Sequence, residues 1–313
     1  MQALSQLSYT PTANPKLYTG PAVATIARAR PADTPARCAI MPRAPPPIIL
    51  VPLPDSRNAK PPDLAGRVIL VTGATGGLGE PLARACAALG ATVVLHGRHV
   101  PKLESLYDAI VAANHPEPVI LPLDFAKAEA ADFGNVAAAL EAQFRRLDGI
   151  VHTAAMLGSL GPIEHQSFDA WLALLRVNLA APMGITRALA PLLAKAADAS
   201  VVFTLDDRGI APRAYWGGYG VTKAGVAALA RELADEWESR ANLRVNAVVP
   251  GPIRSPLRGR THPGEDRTKL PEPGELVPLY LHLLAGQPKN ESARLIEARA
   301  WLAGAPASTP LVA

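Results

Sequence analysis

From residue 67 onward, short runs of consecutive apolar residues alternate with longer stretches in which apolar positions recur every three or four residues. The short runs are RVILVT (67–72), ATVVLH (91–96), VILPL (119–123), GIVHTA (149–154), VVFTL (201–205) and RVNAVV (244–249), with RLIEAR (294–299) as a seventh. Each is apolar nearly throughout instead of on alternate positions, which is the pattern of a strand covered on both faces. Helical periodicity fills the gaps: an alanine-rich segment ending at Leu89, then 103–113, 128–146, 167–196 and 217–240. Gly90 supplies a stop for the first helix, and Pro182 predicts a bend inside 167–196. Such alternation predicts a parallel sheet of about seven strands with helices on both faces, a three-layer α/β/α domain. The pattern shows neither an internal repeat nor a second domain, and the expected domain spans 63–304.

Residues 1–62 have a different texture. Eleven prolines at irregular spacing, from Pro11 to Pro54, exclude a regular helix or a central strand there, and Asp33 and Asp55 are the segment's acids. Such a stretch reads as a disordered, partly polyproline arm. Three explanations stay open: a dispensable tail, an Arg-containing organellar leader, or a start placed too early, with Met41 as one later start. Residues 305–313 read as a tail.

Composition then narrows the class. The 313 residues are 49% hydrophobic and 19% charged, enough for one sizeable core. A formal charge of +4 without a long basic run argues against a nucleic-acid surface. Cys38 and Cys86 are too few for a disulfide framework. No uninterrupted apolar run reaches the roughly 18 residues of a membrane span. The expectation is a soluble cytoplasmic protein with no metal site.

Two stretches carry candidate chemistry. Thr72-Gly73-Ala-Thr-Gly76-Gly77-Leu78-Gly79 lies between the first strand and the first helix. Glycines there allow the backbone close to a ligand, and the helix amino terminus attracts phosphate, so the loop is a candidate dinucleotide cradle. Further on, Tyr219 and Lys223 stand four apart on a predicted helix and share one face. A phenol beside a fixed ammonium has a lowered pKa and exchanges a proton with a carbonyl or an alcohol. Strand two ends in Leu95-His96-Gly97-Arg98-His99, without the acid that usually holds a ribose 2′-hydroxyl. Arg98, aided by His99 and Lys102, suits a 2′-phosphate, which favours NADP(H) over NAD(H).

The Gly-x-x-x-Gly-x-Gly spacing after Thr72, taken with Tyr219-x-x-x-Lys223, resembles the single-domain short-chain dehydrogenase/reductase superfamily over roughly 63–301. Within it the chain looks most like the YciK-type bacterial oxidoreductases. The resemblance implies a Rossmann-type doubly wound sheet, a nicotinamide cofactor and carbonyl–alcohol chemistry. It also implies roles for positions that follow in order. Asp124 contacts the adenine, and Ala154 belongs to the signature after strand four, which reads His152-Thr153-Ala154-Ala155 here. Asn178 holds a proton-relay water. Pro250, Gly251, Ile253 and Ser255, after strand six, flank the nicotinamide.

One departure falls at the reaction centre. The resemblance places a serine thirteen residues before the tyrosine, and that residue here is Asp206, followed by Asp207. A serine donates a hydrogen bond to a substrate carbonyl, whereas an ionised carboxylate only accepts. At about 4 Å and an effective dielectric near 20, its charge opposes phenolate formation by roughly 4 kcal/mol, unless Arg208 or Arg213 neutralises it. Two functions therefore stay open: an NADP(H)-dependent oxidoreductase that uses Tyr219, Lys223, Asn178 and Asp206, or a nucleotide-binding sensor or interaction protein with little turnover. The segment 252–273 is the expected substrate lid, in which Arg254, Arg258 and Arg260 suit an anionic substrate or merely face solvent. Helices 167–196 and 217–240 are apolar enough to pair two copies, giving a homodimer or homotetramer.

Overall fold

A computed structural model describes residues 62–286 and 292–304. Almost all of the proline-rich arm, including Cys38 and Met41, and the tail 305–313 lie outside those residues.

Seven strands form one parallel sheet: β1 (Val68–Thr72), β2 (Thr92–Gly97), β3 (Val119–Pro122), β4 (Gly149–His152), β5 (Ala199–Thr204), β6 (Leu243–Val249) and β7 (Arg294–Glu297). Their order across the sheet is β3-β2-β1-β4-β5-β6-β7. All five residues of β1 and all seven of β6 are buried, as expected of strands covered on both sides. The strand order turns around between β1 and β4, the edge at which a doubly wound sheet opens a crevice beyond the strands' carboxyl ends. The register sets Thr72 level with His96 on one side and His152 on the other, so three buried polar side chains stand side by side at the strands' carboxyl ends.

The helices in chain order are α1 (Gly79–Ala88), α2 (Val100–Ala112), α3 (Ala130–Phe144), α4 (Phe168–Leu175), α5 (Ala181–Leu193), α6 (Asp207–Ile210), α7 (Gly217–Glu236), α8 (Pro256–Thr261), α9 (Val277–Leu284) and α10 (Ala298–Leu302). Gly90 follows α1 with φ +87°, as a left-handed helix stop requires. Several boundaries differ from the sequence pattern. The run 167–196 is two helices joined by a π turn at Arg176–Ala180, just ahead of Pro182. Pro182 has no N–H to give the Asn178 carbonyl, so the ladder shifts where proline demands it. Helix α7 ends at Glu236, four residues early, where Trp237 N–H donates to Leu233 O and Arg240 N–H to Trp237 O in tightening turns. The last strand stops at Glu297, and 298–299 begin α10.

The combined helical run Phe168–Leu193 is long and apolar enough, by length and composition, to cross a membrane. The uninterrupted-run criterion missed it because charged residues divide the sequence. In the fold it packs on α3 and α7, with Leu174, Ile185, Leu189 and Leu193 buried.

Candidate active site

A cavity of about 530 Å³ opens at the carboxyl ends of the strands, a size within the range of small-molecule sites. At one end the glycine loop forms its wall. A Cβ added to Gly79 would stand 2.1 Å from the Gly73 carbonyl oxygen, so only glycine lets α1 begin this close to the loop. The loop is also pinned from β2, since Gly73 N–H donates to His96 Nδ1 at 3.2 Å and Ala74 N–H to His96 O at 2.9 Å. His96 stacks on Phe125 with ring centroids 4.0 Å apart, and burial pushes its imidazole pKa down to about 4. It is therefore a neutral structural ring at neutral pH.

Most residues named from the sequence meet in this cavity. Gly73, Gly76, Gly77 and Leu78 line one end, and Arg98 and Asp124 border the adjacent rim with His99 and Lys102. Ala154, Asp206, Tyr219 and Lys223 line the opposite part, and Pro250, Gly251, Ile253 and Ser255 close over it. Arg98 is exposed, and its Nε donates to His99 Nε2 at 3.3 Å.

Three residues do not reach the cavity wall. Thr72 is fully buried, and its hydroxyl accepts from Thr153 N–H at 3.2 Å and Ala154 N–H at 3.3 Å, so it fastens β1 to the end of β4. Thr153 answers by donating its hydroxyl to Thr72 O at 2.5 Å. Gly79 lies behind the loop, at the start of α1. Asn178 is 3% exposed, with Oδ1 accepting from Met156 N–H at 2.7 Å and Nδ2 donating to Met156 O at 2.8 Å and Thr222 Oγ1 at 3.1 Å. Its side chain is thus fully engaged in holding the loop after β4. The main-chain carbonyl is the Asn178 group that Pro182 leaves without its usual donor.

The central finding concerns Asp206. Its Oδ2 accepts from the Tyr219 hydroxyl at 3.0 Å, and its Oδ1 accepts from Arg208 N–H at 2.9 Å as the cap of α6. With both oxygens accepting, the group sits as a carboxylate acceptor. Gly209 permits the arrangement, because a Cβ there would lie 2.6 Å from the Lys223 main-chain carbon. Short helix α6 can therefore press directly on α7.

The proton on Tyr219 follows from this environment. Burial, then the charges of Asp206 and Asp207 and the bond to Asp206, hold the phenol pKa well above 10. The opposition expected from the Asp206 charge is thus present, with burial as the larger cause, and together they outweigh the lowering expected from Lys223. Lys223 Nζ donates to Thr204 O at 2.8 Å and lies 5.9 Å from the Tyr219 ring centre. Burial in turn holds the ammonium down at about 8, against a smaller upward pull from Asp206.

Two of the three loop arginines are committed to acidic partners. Arg254 does not line the cavity: it bonds Glu272 and the carbonyls of Arg267 and Thr268. Arg258 lines it but is bidentate to Glu265 at 2.5 and 2.7 Å. Arg208 places its guanidinium over the Trp216 ring, 5.0 Å from the centroid, and Arg213 borders a different, smaller hollow with Trp171 and Tyr215. Among the described residues no lysine or arginine forms an ion pair with Asp206 or Asp207. The anionic-substrate reading is therefore withdrawn for Arg254 and Arg258, while Arg260 lines the cavity and donates to Gly158 O at 3.4 Å. Sequence reasoning missed Trp216, Phe125 and Met156 as wall residues, since single apolar residues in loops carry no spacing signal.

The profile of the short chain dehydrogenase family matches residues 67–266. Oxidoreductase YciK of Escherichia coli K12 is 35% identical over 236 residues, covering 75% of this chain and 93% of its own. A short chain dehydrogenase structure from Pseudomonas syringae is 39% identical with a TM-score of 0.74, covering 77% of this chain and 97% of that one. A Shigella flexneri short chain dehydrogenase, solved with NADP, is 34% identical with a TM-score of 0.74, covering 77% of this chain and all of that one.

Proposed function

The chain belongs to the short chain dehydrogenase family of oxidoreductases, and from that premise we propose that it is an NADP(H)-dependent enzyme acting between C=O and CH–OH states. One observation carries the reading: a single cavity has the glycine loop and Arg98 at one end and the buried Tyr219–Lys223 pair at the other. The residues present fit the cofactor. The crowded Gly73–Gly79 contact leaves no side chain where a pyrophosphate would pass, and Arg98, His99 and Lys102 give the rim three basic groups for a 2′-phosphate. When bound, the nicotinamide supplies or accepts the hydride.

The remaining steps belong to side chains. Lys223 would hold the ribose, giving up its bond to Thr204 O. Tyr219 retains its proton, so it acts as the acid that protonates a substrate oxygen, which favours the reducing direction. Asp206 takes the serine's place beside it, and the freed carbonyl of Asn178 would hold a relay water. Exposed Phe168, Leu172, Met183 and Val221 on α4, α5 and α7 suit association into a homodimer or homotetramer.

A second reading rests on the hydrogen bond between Tyr219 and Asp206: the chain binds the dinucleotide and turns over little. Fluorescence titration and a carbonyl panel separate the two. NADPH is expected to bind more tightly than NADH, and Arg98→Ala to weaken NADPH by about 10–100-fold while leaving NADH unchanged. Tighter NADH would end the role given to Arg98. Tyr219→Phe should lower turnover by about 10²–10⁴-fold without moving NADPH affinity. NADPH binding with no turnover across the panel at any pH would favour the second reading.

A further inference from the structure

The substrate end of this cavity sets a carboxylate beside the phenol. Asp206 Oδ2 lies 3.0 Å from the Tyr219 hydroxyl oxygen, at the point where an incoming reactive group must meet the phenol. A neutral carbonyl brings only an acceptor, and two acceptors facing each other make no bond. An N–H brings a donor, and a charged N–H makes the stronger, charge-assisted bond to carboxylate. None of the cations lining this end is ion-paired with Asp206: Lys223 is bonded to Thr204 O, Arg258 to Glu265, Arg260 to Gly158 O, and Arg208 lies over an aromatic ring.

The residue that caps the tyrosine's own helix supplies a second argument. Trp216 packs 5.9 Å from Tyr219 and 6.1 Å from His262, and its face already takes the Arg208 guanidinium at 5.0 Å. An aromatic face and a carboxylate on one cavity together suit a planar nitrogen cation.

We propose that the reacting group preferred at Asp206 is a protonated carbon–nitrogen double bond, or the amine corresponding to it, over a carbonyl or an alcohol. This rests on the oxidoreductase reading and extends its substrate class. The electron count closes without a proton reaching the reacting atom. A new C–H bond forms with the two electrons of a hydride from reduced nicotinamide, the C=N π pair becomes the nitrogen lone pair, and a neutral amine and a pyridinium remain. The carboxylate then loses its bound cation, which promotes release.

The test is calorimetric titration of the full chain with benzamidinium, benzamide and benzoate, three near-isosteric planar probes, with and without NADP. Benzamidinium is expected to bind at least about tenfold more tightly than benzamide, with benzoate weakest. Asp206→Asn should abolish the preference yet leave NADPH affinity unchanged, which also shows that the variant folds. Equal or tighter benzamide binding, or a preference that survives Asp206→Asn, overturns the proposal. Should none of the probes bind, reduction of dihydroisoquinoline against tetralone decides: the imine reduced faster supports it, and the ketone reduced faster, or neither, overturns it. A chain that takes no NADPH but prefers benzamidinium through Asp206 would refute the NADP(H) reading and leave this one standing.

Discussion

Strand β5 has an aspartate just outside each end, and the two meet opposite surroundings. At the amino end Asp198 accepts from Arg67 Nη2 at 2.8 Å and from Arg244 Nε and Nη2, both at 2.9 Å. The same arginines also donate to the carbonyls of Leu283, Leu284 and Ala285, tying β6 and the end of α9 to the sheet's lower edge. At the carboxyl end Asp206 accepts from a phenol and a backbone N–H, with no ion-pair partner among the described residues. A half-buried carboxylate that holds a buried guanidinium in place is a structural part. A carboxylate left facing a cavity holds its remaining capacity for something that arrives. The fold thus ion-pairs two arginines with Asp198 and leaves Asp206 without such a pair, although Arg208, Arg258 and Arg260 line the same cavity.

The amino end should therefore fail first as structure. Arg244 is 1% exposed, so Asp198→Ala strands a guanidinium that retains only carbonyl partners. A loss of about 3–5 kcal/mol is expected in urea unfolding. A loss below about 1 kcal/mol would mean that the clamp is no more than a surface pair, and the contrast between the two ends would collapse.

At the other end, Lys223 gives the contrast a pH signature. Its ammonium is held down at about 8 in the fold against an ordinary 10.5. Below pH 8 the group is charged in both folded and unfolded chains, and the cost of burying the charge is felt in full. Between pH 8 and 10.5 the folded chain sheds the proton first, so the unfolded chain binds more protons and this group's contribution to stability rises with pH. The rise amounts to roughly 3 kcal/mol at about 1.36 kcal/mol per unit. Lys223→Met removes it. The stability difference between wild type and Lys223→Met should shift steadily in favour of wild type across that window. A difference that stays flat would place the ammonium in water.

The sequence announced these two ends very unequally. The seven strands are legible because each is a near-continuous apolar run, which only a doubly covered sheet requires. The glycine loop and the Tyr219–Lys223 spacing are legible for a similar reason, since a local conformation or one helix face fixes them. Asp206 is found by counting back from the tyrosine. The proton state of Tyr219 is not legible, because it depends on burial and on two charges brought in by α6. Nor is the Asp198 clamp, whose members are separated by 131 and 46 positions along the chain. Thr72, Gly79 and Asn178 were recognised as site residues, but only the fold shows that they work from behind the wall. The end of α7 was over-run because nothing between Glu236 and Arg240 is a glycine or proline, and the helix unwinds there through tighter turns.

The smallest expected effect gives the sharpest comparison, because it is the mirror of the first. Asp206→Asn keeps an acceptor for Tyr219 and a cap for α6, and asparagine caps as well as aspartate. It removes a charge next to Asp207, whose own carboxyl is held above its usual range by partial burial and by Asp206. Stability should therefore stay within about 1 kcal/mol of wild type, several-fold less than the change at Asp198. The phenol should respond more clearly. With the Asp206 charge gone, the tyrosinate absorbance of Tyr219 should appear at lower pH than in wild type, yet still above 10, because burial is the largest cause of its shift and remains. A loss of 3 kcal/mol or more would make Asp206 a second Asp198, a brace at the other end of the same strand. An unmoved tyrosinate transition would mean that the carboxylate does not govern the proton it touches. A near-neutral stability change with a shifted phenol is the outcome that separates a carboxylate kept for a ligand from one used up by the fold.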